Sequence, residues 1–167
     1  MLEGHWPETV LEVGCNRGHN IQALQAILPD STVAGVEPQA YARKIALGSG
    51  LAVEEGDIYD IPYGGRSVDL VLVCGVLIHV PPEELGEALR ELGRVSARWV
   101  LAIEYASDSD VALDYRGLDG MLWKRDYGSH ILEALGLSES ALADTGSDVP
   151  GFDGATFWLI DKTLKSG

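Results

Sequence analysis

A short glycine-containing run near the N-terminus is the first part of the sequence whose residue types and spacing could bind a ligand. Residues 12–18 read EVGCNRG, with Gly14 and Gly18 placed after an apolar stretch and before a helical pattern. Glycine permits a tight turn and lets a ligand approach the backbone closely. The spacing is not G-x-G-x-x-G, the fingerprint typical of dinucleotide-binding enzymes, so a nicotinamide-dependent enzyme is disfavoured.

Acidic and small residues follow the next three apolar stretches, each at the point where a strand is predicted to end. Glu37 comes 23 residues after Gly14, and a carboxylate there can accept two hydrogen bonds from a ribose diol. Asp57 follows the third stretch within the run Gly-Asp-Ile. Four such pieces in chain order, each after a strand, indicate a ligand site more strongly than any one piece does. The turn after the fourth stretch contains Cys74, Gly75 and Val76.

Two further residues could act as acid–base groups. His79 lies just past the fourth predicted strand, and the ordinary histidine pKa of about 6.5 suits proton removal near neutral pH. The alternative is that His79 only caps or packs against the following helix. Glu104 ends the fifth predicted strand and could orient an acceptor hydroxyl or remove its proton. The alternative for Glu104 is a structural carboxylate bound by backbone N–H groups, and the sequence leaves both open.

Cationic and aromatic residues in the second half of the chain could contact an acceptor. Arg116, Lys124 and Arg125 stand out in an acidic protein, and an arginine can bind a carboxylate or phosphate through two parallel hydrogen bonds. The alternative is that these cations balance neighbouring aspartates, which is the favoured interpretation for Lys124. Tyr105 and Tyr115 could stack on the face of a sugar. Cysteine and histidine spacing gives no metal-ligand pattern, so no metal is expected.

The elements that must position these residues mostly alternate between strands and helices. Apolar runs predict the strands, and apolar residues at helical spacing predict the helices between them. This alternation, with continuously apolar central strands, is typical of a mostly parallel sheet covered by helices on both faces. The stretch 105–149 is less regular, with a loop, a helix around 127–135 and a weak strand near 141–145. The predicted strands are 9–13, 32–36, 51–54, 68–74, 99–104 and 155–161, and the predicted helices are 19–28, 39–47 and 81–94.

Size and charge restrict the classes of function. The chain has 167 residues, which fits a single domain over 1–167, and a formal net charge of −14. Because such a surface repels a phosphate backbone, nucleic acid is not expected as a partner. No apolar run approaches the roughly 20 residues of a membrane helix, and no secretory signal is evident, so a cytoplasmic protein is expected. Cys15 and Cys74 are expected to be free thiols that lie close together.

The pattern E-x-G-x-x-x-G, with the acids and turns that follow it, resembles the motifs of class I S-adenosylmethionine (SAM)-dependent methyltransferases. In that family the glycine loop passes under the amino-acid end of SAM. The resemblance implies a Rossmann-like α/β fold with a seven-stranded, mostly parallel sheet whose last strand is antiparallel. It also implies SAM as cofactor and S-adenosylhomocysteine (SAH) as product. The cofactor-binding residues that it implies are Glu12, Gly14, Cys15, Asn16, Gly18, Glu37, Pro38, Asp57, Ile58, Cys74, Gly75 and Val76.

A closer resemblance, to the pseudaminic acid biosynthesis-associated methylases, covers nearly the whole chain. It implies methyl transfer to a hydroxyl or amine of a small-molecule acceptor, namely a carbohydrate such as a nonulosonic acid or a nucleotide sugar. Their positions after the fourth and fifth strands predict that His79, Glu104 and Tyr105 line one acceptor pocket, and the resemblance implies that Arg116 joins them from a loop that folds back over the crevice. The resemblance rests on CGVLIHVPP at 74–82, AIEY at 102–105, YRG at 115–117, LWKRD at 122–126 and TFW at 156–158.

Two hypotheses of different classes remain open. The first is an active methyltransferase, which the set of cofactor-binding residues supports. The second is a non-catalytic module of the same fold that acts as a partner or regulatory subunit. The second is supported by the start of the chain almost at the first strand, without the N-terminal helical segment that often covers SAM in the family. A homo-oligomer is a further alternative.

Overall fold

The computed structural model describes residues 6–115, 118–147 and 154–164, and for residues 115 and 118–121 it describes the backbone alone. The strands are β1 (Thr9–Val13), β2 (Thr32–Val36), β3 (Val53–Glu54), β4 (Val68–Cys74), β5 (Ser96–Tyr105), β6 (Val111–Tyr115), β7 (Leu118–Lys124), β8 (Leu142–Ser147) and β9 (Ala155–Asp161). The helices are α1 (His19–Ile27), α2 (Ala40–Gly48), α3 (Pro82–Val95) and α4 (Tyr127–Leu135), with single-turn 3-10 helices at Leu77–His79 and Glu139–Ala141.

The main sheet has seven strands in the order β3-β2-β1-β4-β5-β9-β8. Strands β1 to β5 pair in parallel, whereas β9 is antiparallel to β5 and β8 is antiparallel to β9. The prediction of a seven-stranded, mostly parallel sheet with an antiparallel last strand is therefore confirmed. Strand order reverses between β1 and β4, and in open α/β sheets the carboxyl ends at such a reversal form the crevice that binds ligands.

Two apolar layers cover the sheet and hold these strand ends in place. One layer packs α3 and α4 against the face that includes Val71 and Val73, and the other packs α1 and α2 against the face that includes Leu70. Helix α3 begins at Pro82, and proline is tolerated in a first helical turn because the N–H there has no helical partner. Within the described residues, no helix combines the length and apolar character needed to cross a bilayer.

The stretch after β5 differs from the sequence prediction. A loop is predicted there, but β6 and β7 form a separate two-stranded antiparallel sheet, here called the hairpin. Val111 pairs with Lys124, and Leu113 pairs with Leu122. The strand alternation in VALDY is only five residues long, and charged residues and glycines around it obscure the pattern. The third strand is also shorter than predicted, and β5 begins earlier, at Ser96.

Candidate functional site

The glycine run after β1 folds into a turn that requires small residues. Gly14 has a φ of +75° and Gly18 a φ of +81°, values in the left-handed region that favours glycine. A Cβ added to Gly14 would stand 2.6 Å from Cγ2 of Val76, and one added to Gly18 would collide with Leu51. Asn16 is also left-handed, with a φ of 50°, a region that asparagine tolerates better than most residues. The loop after β1 therefore approaches the loop after β4 closely.

Glu37, which follows β2, stabilises this turn through a hydrogen bond. The residue is only 4% exposed. Its Oε2 accepts a hydrogen bond from the N–H of Asn16 (2.8 Å), and its Oε1 accepts one from the N–H of Gln39 (2.8 Å). Because each carboxylate oxygen can accept more than one hydrogen bond, both oxygens keep capacity for a ribose diol. Glu37 thus shapes the site as well as lining it.

A first cleft of about 430 Å³ lies at the carboxyl ends of β1, β2 and β4, a volume within the usual range for small-molecule sites. Asp57 lines it, and its Oδ1 accepts hydrogen bonds from the N–H groups of Tyr59 (2.8 Å) and Asp60 (3.0 Å), which fixes the turn after β3. The predicted residues that line this cleft are Gly14, Asn16, Glu37, Pro38, Asp57, Ile58, Gly75, Val76 and His79. The sequence interpretation missed Val13, Gln39, Tyr59 and Val80.

A second cleft, of about 400 Å³, adjoins the first. The two clefts share a wall made of Gly14, Asn16, Gly75 and Val76. The predicted residues that line the second cleft alone are Glu12, Cys15 and Cys74. Gly18 lines neither cleft and is instead the N-cap residue that precedes α1. Sequence reasoning did not assign Arg17, His19 and Asn20 to this site, although their position at the start of the helix after the glycine run was a usable signal.

Glu12 brings a buried carboxylate to the second cleft. The residue is 2% exposed, and its Oε1 accepts a hydrogen bond from the side-chain amide of Asn20 (2.7 Å). Among the described residues, Oε2 has no hydrogen-bond partner. Burial raises the pKa of Glu12 to about 7. A buried carboxylate oxygen without a hydrogen-bond partner is suited to bind a ligand group that donates a hydrogen bond, above all a cationic group. Pairing with such a group offsets the cost of removing the carboxylate from water.

The two cysteines line this same second cleft and are free thiols, as the sequence predicts. Burial raises the pKa of each thiol to about 12, with further contributions from Glu12 at Cys15 and from Glu104 at Cys74. Only a thiolate is a good nucleophile or metal ligand. Cys15 and Cys74 therefore serve as small apolar groups that line the cleft.

Glu104 does not face the crevice, which departs from the expectation of a catalytic carboxylate. The residue is 1% exposed and lines neither cleft. Its Oε1 accepts hydrogen bonds from the N–H groups of Val76 (2.8 Å) and Leu77 (2.9 Å). Burial raises the pKa of Glu104 to about 7, although these backbone donors oppose the rise. The geometry favours the alternative weighed for this residue, a structural carboxylate bound by backbone donors.

Arg125 is also buried, so the expectation that it contacts an acceptor is corrected. The residue is 0% exposed, and its Nη1 donates a hydrogen bond to the carbonyl oxygen of Val80 (3.0 Å). Its Nε lies 3.5 Å from Oδ2 of Asp110. The guanidinium carbon stands 5.4 Å from the ring centre of Trp123 and 6.0 Å from that of Tyr127. Arg125 is therefore surrounded by protein groups and lines neither cleft.

Among the remaining acceptor candidates in the described part of the chain, the structure brings only His79 to a cleft. His79 lines the first cleft, and partial burial lowers the pKa of its imidazole below 6.5, so the ring is neutral near pH 7. Tyr105 and Lys124 line neither cleft, and the Lys124 ammonium lies 5.6 Å from the centre of the Tyr105 ring. Only the backbone of Tyr115 is described, at the end of β6, and Arg116 lies outside the described residues.

Comparison with known proteins agrees with this geometry. A family model described as a methyltransferase domain matches residues 10–98, more than half of the chain. A SAM-dependent methyltransferase from Methanosarcina mazei has a TM-score of 0.73 at 13% identity, covering 98% of this chain and 97% of that one. Magnesium protoporphyrin IX methyltransferase from Synechocystis PCC 6803, solved with SAM, has a TM-score of 0.69 at 18% identity, covering 93% and 70%. A methyltransferase in complex with the Haloferax volcanii Trm112 methyltransferase activator has a TM-score of 0.70 at 15% identity, covering 96% and 83%. No curated protein sequence matches the chain.

The sheet order and the paired clefts at its reversal point define a Rossmann-like methyltransferase fold. By its family match, the chain belongs to the methyltransferase domain family. The predictions of a class I SAM-dependent methyltransferase, of an enzyme and of SAM as its cofactor are confirmed. The narrower resemblance to the pseudaminic acid-associated methylases stays a prediction.

Proposed function

We propose that the two clefts bind SAM, and that the chain transfers its methyl group to a hydroxyl or amine of a small polar acceptor, with carbohydrates as the favoured class. The observation that carries this proposal is the pair of clefts joined along Gly14 and Val76 at the carboxyl ends of β1 and β4. The carbohydrate acceptor is supported by the resemblance of the 74–82 and 115–117 segments alone. The net charge of −14 disfavours a polyanionic acceptor.

The groups along the two clefts fit the parts of SAM in order. Asp57 can accept a hydrogen bond from the adenine amino group, and Ile58 offers an apolar surface to the ring. Glu37 can accept hydrogen bonds from both hydroxyl groups of the ribose, since each of its carboxylate oxygens can accept one hydrogen bond more than it receives from the backbone. Glu12 can pair with the ammonium of the amino-acid end through Oε2, the buried oxygen with no partner among the described residues. The absence of a Cβ at Gly14 leaves the backbone open along the shared wall.

When bound, SAM supplies an electrophilic methyl group, so the residues of the chain need only align an acceptor and take its proton. His79 is the proposed base, because it lines the rim of the first cleft and is neutral near pH 7. Methyl transfer should therefore fall as the pH drops through and below the lowered pKa of His79. Glu104 has no part in proton transfer in this scheme, since it reaches neither cleft.

The test is incubation of the protein with methyl-labelled SAM and a panel of nucleotide-activated sugars, beside phenolic and porphyrin acceptors. Label on a sugar is expected, together with its loss in His79→Gln. The matched control is His130→Gln, because His130 lies outside both clefts. Transfer only to a phenol or porphyrin would contradict the carbohydrate acceptor. Absence of both transfer and SAM binding would favour the non-catalytic partner module.

A further inference from the structure

Residues 76–80, the wall segment of the first cleft that follows β4, are held by two buried charged side chains from different elements. At its start, Glu104 of β5 accepts hydrogen bonds from the N–H groups of Val76 and Leu77 (2.8 and 2.9 Å). At its end, Arg125 donates to the carbonyl oxygen of Val80 (3.0 Å). Because neither charged residue lines a cleft, their hydrogen bonds affect a bound molecule through this wall segment.

Arg125 also closes the base of the hairpin. Val111, the first residue of β6, pairs with Lys124, the last residue of β7. Asp110 therefore lies immediately before β6, and Arg125 lies immediately after β7. The Arg125 Nε lies 3.5 Å from Oδ2 of Asp110, and the N–H of Ser107 donates to the Arg125 carbonyl oxygen (3.3 Å). Strand β7 in turn packs against the short helix Leu77–His79. One guanidinium therefore touches both the hairpin and the wall segment.

Burial of this guanidinium is not explained by fold stability. Among the described residues, the Nε and Nη2 groups of Arg125 have no hydrogen-bond partner, and a buried charge that is incompletely paired is destabilising relative to an apolar side chain. Asp110, its ionic partner, is half exposed, with 51% of its side chain accessible, so solvent weakens that attraction. The rings of Trp123 and Tyr127 hold the guanidinium in position.

We propose that Arg125 is a positioning residue that couples the hairpin to the wall segment, so that the hairpin and the wall segment are stabilised together. This inference rests on the proposed function, because the wall segment must line the SAM site. It predicts that a molecule bound in the clefts stabilises the hairpin as well as the wall segment, although the hairpin does not line either cleft.

Amide hydrogen exchange tests this coupling with SAH as the probe. In the unchanged protein, SAH should slow exchange about tenfold in 76–80 and also in 111–115 and 118–124, since binding lowers the population of open forms. Asp110→Ala removes the ionic contact to Arg125 and also the contact of Asp110 with His130 (3.1 Å), and it leaves the Arg125–Val80 bond. In that variant SAH should still slow 76–80, while its effect on 111–115, the strand that Asp110 precedes, is reduced. His130→Gln removes the contact with His130 alone and should respond like the unchanged protein. Asp108→Ala, an exposed acid of the same loop, is the matched control and should respond like the unchanged protein.

Arg125→Lys provides a second variant, because an ammonium keeps the charge but cannot reach Val80 and Asp110 together as a guanidinium does. Without SAH, amide exchange in the wall segment and in the hairpin should then be faster in Arg125→Lys than in the unchanged protein. Slowing of 76–80 alone in the unchanged protein, or a normal hairpin response in Asp110→Ala, would overturn the inference. If SAH does not slow 76–80 at all, the proposed function fails instead. In that case the coupling is tested without SAH, by comparing amide exchange of the hairpin in Asp110→Ala and in the unchanged protein. Equal exchange rates in the two proteins would overturn the coupling.

Discussion

Replacement of Glu37 by glutamine should weaken SAH binding without emptying the space that the side chain fills. One of the two oxygens becomes an NH₂ group, which cannot accept a hydrogen bond from a ribose hydroxyl or from the N–H of Asn16 or Gln39. A hydrogen bond to a charged group contributes about 1.5–3 kcal/mol. The dissociation constant should therefore rise at least about tenfold, at roughly 1.4 kcal/mol per factor of ten.

Isothermal titration calorimetry with SAH measures this change, and Glu87→Gln is the matched control, since Glu87 is an exposed residue of α3 outside both clefts. A 2′-deoxy analogue of SAH separates contact with the ribose from damage to the loop. The unchanged protein should bind this analogue more weakly than SAH, whereas Glu37→Gln should discriminate less between the two. Unchanged SAH affinity in Glu37→Gln would refute the reasoning and show that the ribose is held elsewhere.

The remaining predictions concern Gly14 in the glycine turn, the buried carboxylate of Glu104 and the thiols of the two cysteines. Gly14→Ala should reduce SAH affinity more than about tenfold and lower the melting temperature more than Gly50→Ala does. Both glycines have a positive φ, but only the Cβ at Gly14 would meet another side chain. The pKa of Glu104 is raised from 4.5 to about 7, so the folded state holds that proton more tightly between these values. Glu104 should therefore make the unfolding free energy fall as pH rises through this window, by up to about 1.4 kcal/mol per pH unit, beside a similar contribution from Glu12. Glu104→Gln should flatten this fall in urea titrations, and an equal slope in both proteins would contradict the assignment. Cys15 and Cys74 should react slowly with iodoacetamide at pH 8, because few thiolates form, and rapid alkylation of the folded protein by mass spectrometry would oppose this.

The cofactor side of the site is predictable from sequence because it depends on local features. Gly14, Glu37 and Asp57 each follow a run of strand-forming residues, and a parallel sheet brings the ends of such strands to one edge. The fold class follows from the same alternation of strands and helices. The residues missed in the clefts, such as Tyr59, lie one or two positions from predicted ones and depend on the exact path of each turn.

The position of Glu104 is encoded in a local pattern, the alternation of side chains along β5. Glu104 lies on the same face of β5 as Val100 and Ala102, both of which belong to the core under α3 and α4. Because side chains alternate between the faces of a strand, this periodicity indicates that Glu104 points into the core. The position of Glu104 at a strand end, taken alone, leaves both interpretations open.

Arg125 has no comparable local signal. Its burial depends on the hairpin, which the sequence pattern does not reveal, and on the carbonyl group of Val80, 45 positions earlier in the chain. A cation that follows a strand looks the same in sequence whether it meets an acceptor or a buried carbonyl oxygen. Only the tertiary structure separates these two cases.

Determination of the structure of the protein in complex with SAH tests the central claim most directly. The account predicts one SAH molecule that spans both clefts, with its adenine beside Asp57 and Ile58, its ribose on Glu37 and its ammonium near Oε2 of Glu12. SAH bound elsewhere, or in the two clefts with its ribose away from Glu37, would contradict the account.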